Sequence, residues 1–207
     1  MAVDKKKIIL VEGEDELYFF IHLLEYKKIS DIFVESFKGK DKLTTHIETL
    51  IKRDGFDDVT SIIIFRDSDD SSKSASDSIN YSLRKNDLIT TNIEPFKMNE
   101  HNNKKIGFGL FPGVDENGVL INTGTLEHLC LNLFRDNTNN TIIKNYLDDF
   151  QEKNGKFKCL HKNELHALFS FTDKYVGSKI GETAKFGGFD FDSPHLLPFI
   201  EMINKME

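Results

Sequence analysis

The sequence has no tryptophan, two cysteines and four prolines in 207 residues. Its longest apolar runs, such as Ile62-Ile63-Ile64-Phe65, stop after a few positions, far short of the ~20 needed to cross a bilayer. A membrane span is therefore not expected. Cys130 and Cys159 are too few for a disulfide framework and too far apart for a thiolate zinc site. The charged start runs into acids after Ile8 to Val11, with no small-residue cleavage site, which argues against a secretory leader. The expectation is a reduced, cytoplasmic protein without membrane partners. Net positive charge is lacking too: 27 basic against 34 acidic residues give −7, so any nucleic-acid partner needs local basic patches or bridging cations. With 18 phenylalanines but only five tyrosines, the aromatics read mostly as core filler.

What is present is a globular composition, 39% hydrophobic and 29% charged, in a chain long enough for one core. Lys7 to Glu12 reads as a buried strand ended by Glu12-Gly13, followed by a helix from Asp15 to Lys27 with Leu17, Phe20, Ile21 and Leu24 on one face. Ile32 to Phe37 predicts a second strand, Leu43 to Ile51 a second helix, and Ser61 to Arg66 a third, very apolar strand. The Ser-rich stretch from Ser71 reads as a loop entering a helix. Ile93 to Met98 and Ile106 to Phe111 predict further strands, Pro112 to Gly124 a loop, and Leu126 to Phe134 and Ile142 to Phe150 a helical pair joined by the Asp136 to Asn140 turn. Helices are expected at Lys162 to Phe171 and Pro194 to Met206, with a connector through Gly181 to Ser193. Alternating strands and helices imply an α/β fold with a mainly parallel, Rossmann-like sheet whose ligands bind beyond the strands' carboxyl ends. The reading is one domain over 1–207, a core at 1–135 carrying a helical C-terminal extension at 136–207.

Carboxylates gather at those ends. Glu12 and Glu16 flank the first strand-to-helix turn, Asp67 and Asp69 follow the third strand, and Glu127 opens a helix after a Gly-rich loop. An extended Asp67-Ser68-Asp69 would send both aspartates the same way. Such a cluster repels itself unless its pKa values rise or hard divalent cations neutralise it, which favours Mg2+ or Mn2+ and phosphodiester chemistry. Each group also has a structural explanation: acids at helix starts complement the dipole, and Asp67 to Asp70 suits a capping turn. Lys38 and Lys40, in the turn after the second strand, are candidate phosphate holders, though a solvated turn explains them as well. The seven histidines show no metal-ligand spacing, and Gly107-Phe108-Gly109 lacks the strand-to-helix context of a dinucleotide fingerprint.

Val11-Glu12-Gly13, the apolar strand ending in Asp67-Ser68-Asp69, and Gly124-Thr125-Leu126-Glu127 resemble, in that order, the Toprim domain of topoisomerases, bacterial primases, overcoming-lysogenization-defect nucleases and small ribosomal-RNA-maturing ribonucleases. Over nearly its whole length the chain resembles a small stand-alone Toprim-related family of unknown function, through Phe111-Pro112 before Gly124-Thr125-Leu126-Glu127 and a tail around Gly187 to Pro194. The resemblance implies a magnesium site in which Glu12 is general acid/base or ligand, Asp67 and Asp69 hold metal, and Glu16 and Glu127 add carboxylates. Arg66 departs from the usual apolar lead-in and stands to pair with a carboxylate in competition with metal. The implied activity is metal-dependent phosphotransfer, as in a nuclease on DNA or RNA. Two alternatives stay open: a non-catalytic module binding nucleotide or nucleic acid and acting through a protein partner or a second copy, and a purely structural interaction protein.

Overall fold

In a computed structural model describing residues 3–136 and 138–207, five strands form one sheet in the order β2-β1-β3-β5-β4. β1 (Lys7–Val11), β2 (Ile32–Ser36), β3 (Ser61–Asp67) and β5 (Lys104–Phe111) are parallel, whereas β4 (Met98–His101) is an antiparallel edge. Val11 stands beside Ser36 and Phe65, and Asp67 beside Phe111, so one sheet edge collects every parallel strand's carboxyl end. Met1, Ala2 and Asn137, the last within the expected 136–140 turn, lie outside the described residues.

Period-two alternation gives the sheet two buried faces. Ile8, Leu10, Ile62, Ile64, Ile106 and Phe108 face α2 (Leu43–Leu50) and α3 (Ser72–Lys85). Ile9, Val11, Ile63, Phe65 and Phe111 face α1 (Glu14–Lys27) and the C-terminal helices α4 (Leu126–Leu133), α6 (Leu160–Ser170) and α8 (Leu197–Asn204). On this face Phe199 stacks on Phe111 at 5.3 Å between centroids and meets Phe96 edge-on at 5.2 Å, tying α8 to the sheet. Gly107 and Gly109 serve this packing: a Cβ at Gly107 would lie 2.5 Å from Met202 and Met98, and one at Gly109 would lie 2.7 Å from the Phe65 ring.

Three local expectations are corrected. The strand expected at Ile93 to Met98 begins only at Met98, because Pro95 lacks a donor and Phe96 turns at φ 60°. Ile93 pairs with a side chain instead: its N–H donates to Asn80 Oδ1 at 2.8 Å and its carbonyl accepts from Asn80 Nδ2 at 3.0 Å. The two helices expected to pair are bridged by a third, since α4 and α5 (Asn140–Asn154) each pack on α6. The 181–193 connector contains the end of a short helix, α7 (Ile180–Lys185), laid along α1 where Gly181 would place a Cβ 2.4 Å from Tyr18 Cβ. Among the described residues no helix is long and apolar enough to cross a membrane.

Candidate functional site

Glu12 is the first residue beyond β1, and its carbonyl is fixed by donors from the next crossover, Ser36 Oγ at 3.1 Å and Gly39 N–H at 2.9 Å. Its carboxylate turns toward Arg66, with Oε2 3.6 Å from Nε. That is beyond hydrogen-bonding reach, and both atoms are buried without a hydrogen-bond partner among the described residues. Burial raises the Glu12 pKa, Arg66 opposes the rise and Asp69 reinforces it.

α1 then starts in the extended Gly13, where a Cβ would sit 2.8 Å from Glu16 Oε2 and oblige that carboxylate to shift. Glu16 is folded back over this turn at 8% exposure. Burial pushes its pKa up to about 7, with Glu12, Asp15 and Glu127 adding to the rise. The expected helix face is rotated as a result, because Glu16 is buried with Phe19, Phe20, Leu23 and Leu24 while Leu17 and Ile21 are only half-buried.

Asp67 closes β3, and its Oδ1 accepts the N–H of Leu126 at 2.9 Å, so a β3 residue supplies one of the acceptors that the start of α4 needs. Burial and the charges of Glu16, Glu127 and Glu12 nevertheless push its pKa up to about 8. Glu127, in the first turn of α4, is the opposite case. Burial pushes it up, but bonds from the Thr125 hydroxyl and from Lys162, whose Nζ lies 2.9 Å from Oε1, leave it below the ordinary carboxylate value.

Glu12, Glu16, Asp67 and Glu127 line one open cleft of about 1320 Å3 at the carboxyl edge of the sheet, together with Lys38. Asp69 and Lys40 do not line it. The chain leaves the extended form after Asp67, and Asp69 adopts φ 50°, with N–H and C=O both paired to Gly124 at 2.9 Å. The alternation that would have aligned Asp69 with Asp67 therefore fails, and its Oδ2 takes the Lys40 ammonium at 3.1 Å on the rim. Among the described residues no three His, Cys, Asp or Glu side chains converge closely enough to form a ready metal cage.

Other cleft residues had no recognisable signal in the sequence. Asp15 lines the cleft, its pKa raised by burial and Glu127 against Lys179, His166 and Lys162. α6 supplies Lys162 and His166, and the α7 region supplies Lys179, Glu182 and Lys185, so the C-terminal helices form a wall rich in lysine facing the acidic floor. These residues come from more than thirty positions beyond the nearest Toprim-like motif, in segments whose docking no local pattern encodes.

The profile of a family described as "Protein of unknown function (DUF3226)" matches residues 6–207. Comparison with curated proteins gives no match. Among solved structures, two of the C-terminal region of the Xanthomonas campestris pv. campestris OLD protein are similar. One, phased with platinum, has a TM-score of 0.47 and 14% identity over 97% of this chain and 93% of that one. The other, phased with mercury, has a TM-score of 0.46 and 15% identity over 98% and 96%.

Proposed function

The chain belongs to the DUF3226 family, and from its acid-floored cleft we propose a Mg2+- or Mn2+-dependent, Toprim-type phosphotransfer protein, a nuclease acting on DNA or RNA. The observation that carries this reading is the buried carboxylate set at the carboxyl edge of the sheet, with Asp67 at about 8, Glu16 at about 7 and Glu12 Oε2 without a hydrogen-bond partner among the described residues. Uncompensated burial of several acids is costly, and a fold keeps such an arrangement where a cation relieves it.

The donors fit a hard divalent ion. They are carboxylate oxygens with no thiolate, and their mutual repulsion falls when a dication sits among them. Glu12, Glu16 and Asp67 would hold it, with Glu127 and, after release from Lys40, Asp69 as further ligands. Bound there, the ion would polarise a phosphoryl oxygen and acidify a water. The remaining work falls to the chain itself. The Leu126 N–H fixes the Asp67 carboxyl, Arg66 limits how far the Glu12 charge is raised in energy, Glu12 accepts or returns a proton, and Lys38 holds a phosphate oxygen in the cleft. The 1–135 core and the 136–207 extension act as one unit, the first giving the floor and the second the wall.

A metal-dependent cleavage screen over single- and double-stranded DNA and RNA, run with wild type beside Glu12→Gln, Asp67→Asn and Asp69→Asn, tests the proposal. All three variants lose cleavage while keeping the wild-type circular dichroism spectrum. Unchanged cleavage in all three ends the nuclease reading. One observation favours the non-catalytic module as second reading: Lys162 already pairs with Glu127 and Lys40 with Asp69, leaving fewer acids for metal. Calorimetric magnesium binding without cleavage of any substrate would select it.

A further inference from the structure

Between the end of α6 and the end of α7 the chain leaves three large apolar side chains in solvent: Phe171 at 66% exposure, Val176 at 62% and Phe186 at 50%. Residues 171–186 also carry Lys174, Lys179 and Lys185 against Asp173 and Glu182, a local positive balance in a chain of net charge −7. Glu182 is engaged by its own helix, its Oε2 accepting the Lys179 N–H at 3.0 Å. Lys174 Nζ donates to the Phe186 carbonyl at 2.5 Å, which draws the turn at 173–175 against the end of α7. The segment reaches the cleft, since Gly177, Lys179 and Lys185 line it, with Val176 and Phe186 next to them in the chain.

We propose that this strip is a platform for single-stranded nucleic acid, on which Phe171 and Phe186 stack bases while Lys174, Lys179 and Lys185 take phosphates and lead the strand into the cleft. It rests on the reading of the cleft as a phosphodiester site and names the substrate class. Exposed rings interleaved with lysines suit a strand whose bases are splayed, because every base has a face to stack and every link a charge to neutralise. A duplex hides those faces and presents mainly phosphates and groove edges. The lysines and the junction with the cleft favour this occupant over a protein surface.

The test is fluorescence anisotropy with labelled oligo(dT), oligo(U) and a duplex, each of about 16 nucleotides or base pairs, in EDTA and again in calcium. Wild type binds both single strands more tightly than the duplex. Phe171→Ala/Phe186→Ala weakens single-strand binding about tenfold or more, whereas Ile142→Ala/Tyr146→Ala, an equally exposed apolar pair on α5, leaves it unchanged. Lys179→Ala/Lys185→Ala lowers the slope of log affinity against log salt by about 1.4. The proposal is overturned if the duplex binds as tightly as the single strands, if the double phenylalanine variant binds like wild type, or if wild type binds none of the three. Single-strand binding lost in that variant while wild type cleaves nothing with magnesium keeps the platform and removes the nuclease. Cleavage with binding indifferent to both phenylalanines does the reverse.

Discussion

Raising the pH of the metal-free protein from 6.5 to 8.0 titrates the two carboxyls that the fold keeps protonated, Asp67 at about 8 and Glu16 at about 7. Their unfolded values lie near 3.8 and 4.5. Across this window the unfolded chain has already released both protons while the folded protein still holds part of them. The unfolded state therefore binds fewer protons, and stability falls as pH rises, levelling off once the folded pKa values are passed. Linkage gives roughly 1.6 kcal/mol for Asp67 and about 0.8 for Glu16 between the two pH values, together roughly 2 kcal/mol. At this chain length that lowers the melting temperature by about 4–8 °C. Burial holds His128 and His161 below 6.5, and since their unfolded forms are still half protonated at pH 6.5 they oppose the fall by at most about 0.4 kcal/mol each, at the low end of the window. Asp67→Asn keeps an acceptor for the Leu126 N–H but cannot ionise, so it flattens the profile and raises stability at pH 8.0 by about 2 kcal/mol or more. Calorimetric or fluorescence melting in EDTA measures both effects. Wild-type stability that is level or climbing over this window, or an Asp67→Asn profile as steep as wild type, would refute the claim that these acids are buried without compensation.

Three further outcomes follow from the packing and the charges. Phe199→Ala removes a ring stacked on Phe111 and in contact with Phe65 and Phe96, and costs about 3–5 kcal/mol in urea unfolding. Gly181→Val drives side-chain atoms into Tyr18 and pushes α7 off α1, costing about 1–3 kcal/mol; exposure of the cleft to protease at 171–186 rises in parallel. Lys162→Met releases Glu127 from its ion pair and raises the Glu127 pKa, read by NMR titration of the side-chain carboxyl, while stability changes by less than about 1 kcal/mol because the lysine is half exposed.

The first half of the fold was readable because each signal is local. β1, α1, β2, α2, β3 and α3 each show their own period, and Glu12 and Asp67 stand at strand ends wherever the strands pack. Glu16 lines the cleft with Glu12 and Asp67, but the buried face of α1 is not the expected one. A carboxylate held at 8% exposure on the same face as Phe19, Phe20 and Leu23 inverts the usual pattern in which Leu17 would point inward. Asp69 was misplaced because alternation assumes an extended backbone, and one residue at φ 50° cancels it. α7 escaped notice for two reasons: six residues are too few to show a period, and Gly181 reads as a breaker until Tyr18 is seen against it. The lysine wall was invisible because its chemistry is a matter of docking: Lys162 is just one more charge on a polar helix until α6 packs on α4 beside Glu127.

The division of charge within the cleft narrows which acids do the work. Glu127 and Asp69 each hold a lysine at ordinary salt-bridge distance, and Glu127 is depressed below the usual carboxylate range as a paired group should be. Among the described residues Glu16 and Asp67 have no such cation, and their pKa values are raised first by burial and then by the neighbouring acids that a structural network would have neutralised. Glu12 stands between the two cases, facing Arg66 at 3.6 Å without a hydrogen bond, with an oxygen left unsatisfied. Helix capping accounts for the Asp67 contact to Leu126 but not for the repulsion around it, since one capped helix start requires a single acceptor and not four acids lining one cleft. The unpaired set of Glu12, Glu16 and Asp67 is thus the part of the site that stability alone would have removed, and substitutions there should separate activity from folding in opposite directions: stability up, function down.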